Sequence, residues 1–363
     1  MFNLSKFTSI APKNILGIDM GTASIKVVEL SKSRKGINLV NYGILEAKGH
    51  LERINDAIQT SSLDIMDAET AETLSLLLKN MKTSVKDVVL SLPAFSAFTS
   101  LLELPEMAAD ETSQAMRYQA KALVPMPLDQ VTIDWLRIGK YKNEHGNSIQ
   151  KVILIAVPTK QIQKYQSICQ RAGLNLKALE LETVSLARVL TGGDSTLSII
   201  VDIGARSTAF AIASGGALIY SAQADFAGSS LTHALAKGLG INVLRAEELK
   251  KQKGLMGTGG EYEVSTLMLP YLDVIINEAK RVIEGHEKNH QEKVDRVILS
   301  GGSANLLGIE KYVSDKLKMS TIKADPFGTK ISYPQAAAPV LKNVAPALSV
   351  ALGLGSRVFL NDK

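Results

Sequence analysis

Two aspartates define the chemistry available to this 363-residue chain. Asp19 ends an apolar run in NILGIDMGTASIKVVEL (14–30), and Asp202 does the same in LSIIVDIGARSTAFAIA (197–213). Asp19, Gly21 and Ser24 match Asp202, Gly204 and Ser207, each pair 183 positions apart (202 − 19). In both stretches a second apolar run follows a small-residue turn, which reads as a β-hairpin. The N–H groups of such a turn have no ladder partner and can cup an anion, and glycine allows the anion a close approach. A carboxylate beside a bound phosphate makes sense when a divalent cation separates the two negative charges. Asp19 and Asp202 are therefore expected to hold Mg²⁺, mainly through water, because Mg²⁺ dehydrates reluctantly. Gly21, Thr22, Ala23 and Ser24 in the first turn are expected to offer backbone N–H groups to the phosphates. Gly204, Ala205, Arg206, Ser207 and Thr208 do so in the second. Lys26 lies two residues after Ser24, and strand alternation brings both to one face, so its ammonium can reach the same phosphates.

These residues need a scaffold that makes them face each other. One hairpin with an acid at its turn is ordinary, but a duplicated unit implies two related halves. Facing hairpins would hold a phosphate chain from both sides. A third element, VDRVILSGGSANLLGIEKYV (294–313), reads as strand, glycine turn and helix from Leu306. Gly301, Gly302 and Ser303 would let a flat ring or a phosphate lie against the backbone there. In AEELK (246–250), Glu247 and Lys250 are i,i+3 neighbours, spaced to reach one ligand or to form a plain surface ion pair. Glu182 opens a helical stretch after LEL, where an acid also suits the helix dipole.

Between the hairpins, a strand is expected at 36–42, a helix at 67–82 and a strand at 88–92. The character then changes, and 86–157 reads as an insertion. It holds a helix at 107–123, a break at VPMPL (124–128), and strands at 131–138, with Trp135, and 151–158. It has no evident catalytic residue but carries Phe95, Phe98, Met107, Met116, Met126 and Trp135, suited to an adaptable apolar groove or to a small core. Further helices are expected at 161–171, after Ala227-Gly228-Ser229-Ser230 through Leu239, at 243–253 and at 270–286, with a flexible loop at 254–260. The chain closes with VAPALSVALGLG (344–355), where Ala347, Ala351 and Gly355 recur every four residues and would let another helix cross closely.

Composition narrows the class. With 45% hydrophobic and 21% charged residues the chain is an ordinary globular sequence long enough for two modest domains. The net charge is +5, with 41 Lys and Arg spread among 36 Asp and Glu, and there is no aromatic–basic interleaving that would suit nucleic acid. Its one cysteine, Cys169, rules out an intrachain disulfide and fits a reducing compartment. No run of 18 apolar residues points to a membrane span. Residues 1–14 lack signal-peptide features, and Phe2, Leu4 and Phe7 are expected in a loosely docked arm.

Hairpin, connecting helix, hairpin, G-G-S-A turn and small-residue final helix, in that order, resemble the actin, heat-shock chaperone and sugar kinase ATPase superfamily. More narrowly, LVPMPLDQVTIDWLRIG (123–139) and the place of the insertion resemble the PilM family of type IV pilus assembly proteins, relatives of cell-division FtsA. The resemblance implies an α/β actin-like ATPase fold: two duplicated ribonuclease-H-like domains around a nucleotide cleft, with an FtsA-type inserted subdomain. In those terms 13–85, 158–192 and 344–357 would form subdomain 1A, and 86–157 subdomain 1C. Residues 195–225 and 294–343 would form 2A, and 226–293 would form 2B. It implies ATP and Mg²⁺ as cofactors, Glu182 as the residue that orients the attacking water, Gly228, Glu247 and Lys250 about the ribose and base, and Gly301, Gly302 and Ser303 about the adenosine. Thr183 stands where relatives have proline, and Arg206 where actin has its second glycine, so at most slow hydrolysis is expected. The implied partners are the cytoplasmic N-terminal peptide of a PilN-like inner-membrane protein, docked between the first domain and the insertion, and other inner-membrane subunits of the pilus machine. This places the chain at the cytoplasmic face of the inner membrane, without nucleic acid. The alternatives are a small-molecule kinase of the superfamily, for which no base is evident, and an FtsA-like division protein.

Overall fold

Apolar runs in the sequence become strands buried on both faces. The computed structural model describes residues 12–34, 36–46, 63–256, 262–328 and 331–360. The arm with Phe2, Leu4 and Phe7, positions 257–260 of the expected loop and the last three residues lie outside the described residues. In chain order, β1 (Asn14–Met20), β2 (Ser24–Ser33) and β3 (Gly36–Glu46) form an antiparallel meander. Helix α1 (Leu63–Met81) leads to β4 (Asp87–Leu92). The insertion follows: β5 (Phe98–Pro105), α2 (Ala109–Leu123), β6 (Val131–Lys142) and β7 (Ser148–Pro158). Then come α3 (Thr159–Arg171), β8 (Asn175–Leu181) and α4 (Glu182–Thr191). The second half holds β9 (Ser198–Ile203), β10 (Thr208–Ser214), β11 (Ala217–Ala224), α5 (Gly228–Leu239), α6 (Val243–Lys253), α7 (Tyr262–His290), β12 (Arg296–Ser300), α8 (Ile309–Leu317) and β13 (Ser320–Lys323). A short β14 (Ile331–Ser332) and the long α9 (Ala338–Leu360) end the described chain.

The two halves repeat one topology. The first sheet runs β14-β3-β2-β1-β4-β8 and the second β11-β10-β9-β12-β13, so each is a three-strand meander followed by two parallel strands. Helices α4 and α9 pack between the sheets, α9 against β1, β2, β4 and β12, α4 against β10 and β11. The core is continuous there, and Ile200, Ala211 and Ile298 of the second sheet join that of the first. By length and composition α9 would suit a bilayer. Every residue from Leu348 to Phe359 is buried in protein, which accounts for its apolarity.

Several boundaries differ from the sequence reading. Strand β4, assigned above to the 86–157 insertion, pairs in parallel with β1 (Leu16↔Val88) and with β8, so the insertion begins after Leu92. Likewise β14, placed above in the second half, pairs with β3 of the first sheet (Ile331↔Ile37). Helix α7 starts at Tyr262 and carries Pro270 inside it. Its buried stripe Val264, Met268, Leu272, Ile275, Ile276 and Ala279 overrides the proline break. The turn after β12 becomes a 3₁₀ turn (Gly302–Asn305), and α8 begins only at Ile309. The stripe of Ala351 and Gly355 meets a strand rather than a helix: a Cβ on Gly17 of β1 would lie 2.1 Å from the Ala351 carbonyl oxygen and 2.7 Å from the Gly355 nitrogen. The helix crossing is made by Gly353 instead, where a Cβ would lie 2.2 Å from the Ser185 carbonyl oxygen of α4.

The insertion is a three-stranded antiparallel sheet, β5-β7-β6, closed by α2. Met116 is fully buried in its own core, and Phe98, Met107 and Trp135 pack against that core. Phe95 and Met126 are exposed.

Candidate functional site

The two hairpins place their acids in matching geometry. Asp19 pairs in register with Lys26, and Asp202 with Ala209. The turns close alike: the Gly21 N–H donates to the Ser24 carbonyl at 3.1 Å, and the Gly204 N–H to the Ser207 carbonyl at 3.1 Å. This corrects one expectation, because both glycine N–H groups are spent inside their turns. Among the described residues, the N–H groups of Thr22, Ala23, Ala205 and Arg206 make no backbone hydrogen bond, which leaves them for an anion. Arg206 is exposed at its turn.

Each acid has a serine beside it on the neighbouring parallel strand. Ser91 of β4 donates to Asp19 Oδ1 at 3.1 Å and accepts the Met20 N–H at 3.0 Å. Ser300 of β12 stands opposite Asp202 in register, and its hydroxyl donates to the Pro346 carbonyl at 3.2 Å. Neither serine was singled out from the sequence, although a signal was present. Val88-Val89-Leu90-Ser91 and Val297-Ile298-Leu299-Ser300 are the same strand in the two halves.

The cluster carries more negative charge than it can balance. Lys26 Nζ lies 2.9 Å from Asp19 Oδ2. Burial opposes the Lys26 charge, but Asp19, Asp202 and Glu182 outweigh it and raise the ammonium's pKa. Burial and then the field of Asp202 push Glu182 up to about 8. Burial, and then the charge of Asp19, also push Asp202 up to about 6. Three carboxylates about one ammonium suit an added cation. Among the described residues, no three His, Cys, Asp or Glu side chains are grouped closely enough to hold a metal directly. Mg²⁺ would therefore sit on water, oriented by Asp19 and Asp202.

The second half builds a tight floor from α5, α6 and the glycine turn. The Gly228 N–H donates to the Gly204 carbonyl at 3.0 Å, and a Cβ on Gly228 would lie 2.6 Å from Ser303 Oγ. Lys250 is buried, and its Nζ donates to the Gly228 carbonyl at 2.9 Å and to Thr232 Oγ1 at 2.8 Å, 2.7 Å from Glu247 Oε2. Glu247 and Lys250 are therefore a largely buried network pinning Gly228, not a solvated surface bridge. Burial opposes the Glu247 charge, but Lys250 and Thr232 hold the carboxyl below its ordinary value. Gly301 (φ +84°) passes against Ile203, where a Cβ would lie 2.5 Å from its carbonyl oxygen, so only glycine fits. Gly302 is exposed.

Glu182 starts α4, as the sequence suggests, but its Oε1 accepts the Ala94 N–H at 3.0 Å. Ala94 lies where the chain leaves β4 for the insertion, a link invisible in sequence. Thr183 is buried, and Ser221 of β11 donates to its Oγ1 at 3.3 Å, so this departure from proline ties α4 to the second sheet.

Duplicated meander sheets, crossing helices between them and paired acidic turns define an actin-like ATPase fold. A family model described as type IV pilus assembly protein PilM matches residues 17–359, and the chain belongs to that family. Among solved structures, a PilM–PilN type IV pilus biogenesis complex is similar with TM-score 0.81 and 20% identity, over 96% of this chain and 99% of that one. The ethanolamine utilization protein EutJ from Carboxydothermus hydrogenoformans follows at TM-score 0.55 and 18% identity, over 95% and 90%. An MreB of Spiroplasma citri bound to AMPPNP has TM-score 0.53 and 13% identity, over 96% of each chain.

Proposed function

We propose that the chain is a nucleotide-dependent scaffold of type IV pilus assembly at the cytoplasmic face of the inner membrane. In this reading ATP with Mg²⁺ fills the cleft, and a short cytoplasmic peptide of a PilN-like membrane protein docks under the insertion. The observation that carries it is the family match over nearly the whole chain. The Asp19, Asp202 and Lys26 cluster and the free turn N–H groups support the ligand. Asp19 and Asp202 would orient the water of Mg²⁺, which neutralises phosphate charge. Thr22, Ala23, Ala205 and Arg206 would donate N–H groups to the phosphates. Lys250 and Glu247 fix Gly228 beside Ser303, where ribose and base would lie. Slow turnover fits Glu182: without a cation it keeps its proton to about pH 8, and its Oε1 already accepts the Ala94 N–H, so it is a poor base.

The peptide reading is supported by a cavity of about 130 Å³ between the insertion and the first domain. Trp135, Leu136, Ile155 and Val157 line one side, and Leu179, Leu181 and Val184 the other. Asp134, Glu180, Arg188 and Arg357 face it with charge. Apolar walls with a few convergent polar groups suit an extended peptide, and the similar solved structure is itself a PilM–PilN complex.

Thermal melting of the purified protein tests the nucleotide half. A ligand at 100 times its Kd stabilises by about 2.7 kcal/mol, so Mg-ATP raises the Tm of wild type and not of Asp202→Ala. A wild-type melting curve indifferent to Mg-ATP refutes it. Titration with a synthetic N-terminal peptide of the organism's PilN-like protein tests the other half.

A further inference from the structure

The cavity between the insertion and the first domain runs along two strand edges. Strand β6 ends the insertion's sheet and pairs only with β7 among the described strands, and β8 ends the first sheet and pairs only with β4. Successive residues of a strand point to opposite faces. The Trp135 indole donates to Ser113 of α2 at 3.0 Å, on the insertion's own side, while Leu136 packs against the first domain's core. Yet Asp134, Trp135 and Leu136 all line the cavity, as do the consecutive Leu179, Glu180 and Leu181 of β8. A space that touches both faces of a strand lies at its edge. The Trp135 N–H donates to Asp134 Oδ1 at 2.9 Å, and one N–H has one direction, so it is turned away from the β7 carbonyls. The antiparallel pattern then turns the Trp135 carbonyl, and both the N–H and the carbonyl of Ile133, toward the same edge. Asp134 is costly where it stands: burial pushes its carboxyl up to about 6, against the Trp135 N–H and Arg357. A charge turned onto an open edge keeps other strands from pairing there at random.

We propose that the peptide binds as an added β-strand on the free edge of β6, its backbone paired with Ile133 and Trp135. This rests on the peptide reading given above and adds how the groove recognises the chain. A cavity of about 130 Å³ takes the width of a strand, not a helix about 10 Å across. Every second peptide residue turns its N–H and carbonyl to β6, and the residues between turn theirs away. A peptide carbonyl takes the Trp135 N–H from Asp134, and the released carboxylate turns to Arg357, whose charge already acts on it. Backbone pairing supplies the affinity, and the apolar walls select the side chains.

The test uses full-length wild-type protein and the synthetic PilN-like N-terminal peptide, with a single N-methyl group moved along the peptide backbone. Each N-methyl removes one N–H and leaves every side chain in place. Methylation is expected to weaken binding at least ~10-fold at every second central position, the ordinary cost of an unmade buried hydrogen bond, and under ~3-fold at the positions between. Hydrogen exchange at the Ile133 amide is expected to slow at least ~10-fold when the unmethylated peptide saturates the protein. A peptide that binds with no period of two in the methyl scan, or that leaves Ile133 exchange unchanged, overturns the added strand and leaves the proposed partner standing. So does Ile133 protection that appears without peptide and grows with protein concentration, which would put a second copy of the chain on this edge. An unmethylated peptide that does not bind at all refutes the partner proposed above and takes this inference with it.

Discussion

Replacing Glu182 by a side chain that cannot ionise should make the protein more stable, and the gain should depend on pH. The folded protein holds this carboxyl at about 8, against an ordinary 4.5, because it is buried and faces Asp202. The direction is opposite to that of a salt-bridged acid. Between pH 4.5 and 8 the unfolded chain has released the proton and the folded chain has kept it, so folding takes up a proton and stability falls as pH rises. At about 1.4 kcal/mol per pH unit, the deficit reaches roughly 1 kcal/mol at pH 5 and about 3 kcal/mol at pH 7. Glu182→Gln cannot ionise, and its amide oxygen can still accept the Ala94 N–H. Its advantage over wild type should therefore grow by about 2 kcal/mol from pH 5 to pH 7. Asp202, pushed up to about 6 by its burial, titrates in both proteins and largely cancels in the comparison. Urea denaturation of both proteins at the two pH values, without nucleotide and with EDTA, measures the difference. Equal loss of stability by wild type and variant over this range would show that Glu182 is ionised throughout, and the electrostatic reading of the cleft would fall.

Three further outcomes follow from packing and pairing. Gly17→Ala puts a Cβ 2.1 Å from the Ala351 carbonyl of a buried helix. It should cost at least ~3 kcal/mol, the upper end for overpacking, read as a lower urea midpoint; a shift under ~1 kcal/mol would show that α9 can move away. Glu180 bridges Arg188 (2.6 and 2.8 Å) and Arg357 (3.0 Å) between α4 and α9. Glu180→Gln should cost about 3–5 kcal/mol by removing the carboxylate charge that both guanidinium groups share, also read by urea titration; a near-neutral effect would mean that water enters beside them. Ser91→Ala should weaken Mg-ATP binding by about 1–2 kcal/mol, because a charged acceptor, Asp19, loses its hydroxyl. Calorimetric titration giving wild-type affinity would remove Ser91 from the site.

Some of this molecule was legible in the one-dimensional pattern. The repeat of Asp19, Gly21 and Ser24 at Asp202, Gly204 and Ser207 is local, and a hairpin turn is built from neighbouring residues, so the sequence alone determined two matched turns and two related halves. Apolar runs determined most strands for the same reason. Contacts between distant segments were decided by the tertiary structure. Strand β4 belongs to the first sheet because it pairs with β1, about 70 residues away (88 − 16 = 72), and no local signal separates it from the insertion. Gly353, and not the Ala347–Ala351–Gly355 stripe, makes the helix crossing because the rotation of α9 is fixed by what packs on both sides of it. Glu182 meets Ala94 across 88 positions, and Ser300 meets Asp202 across a parallel ladder. Parallel pairing and helix rotation are set by the packing of whole layers, so the sequence determined which residues could do chemistry, and the folded structure decided which of them share a field.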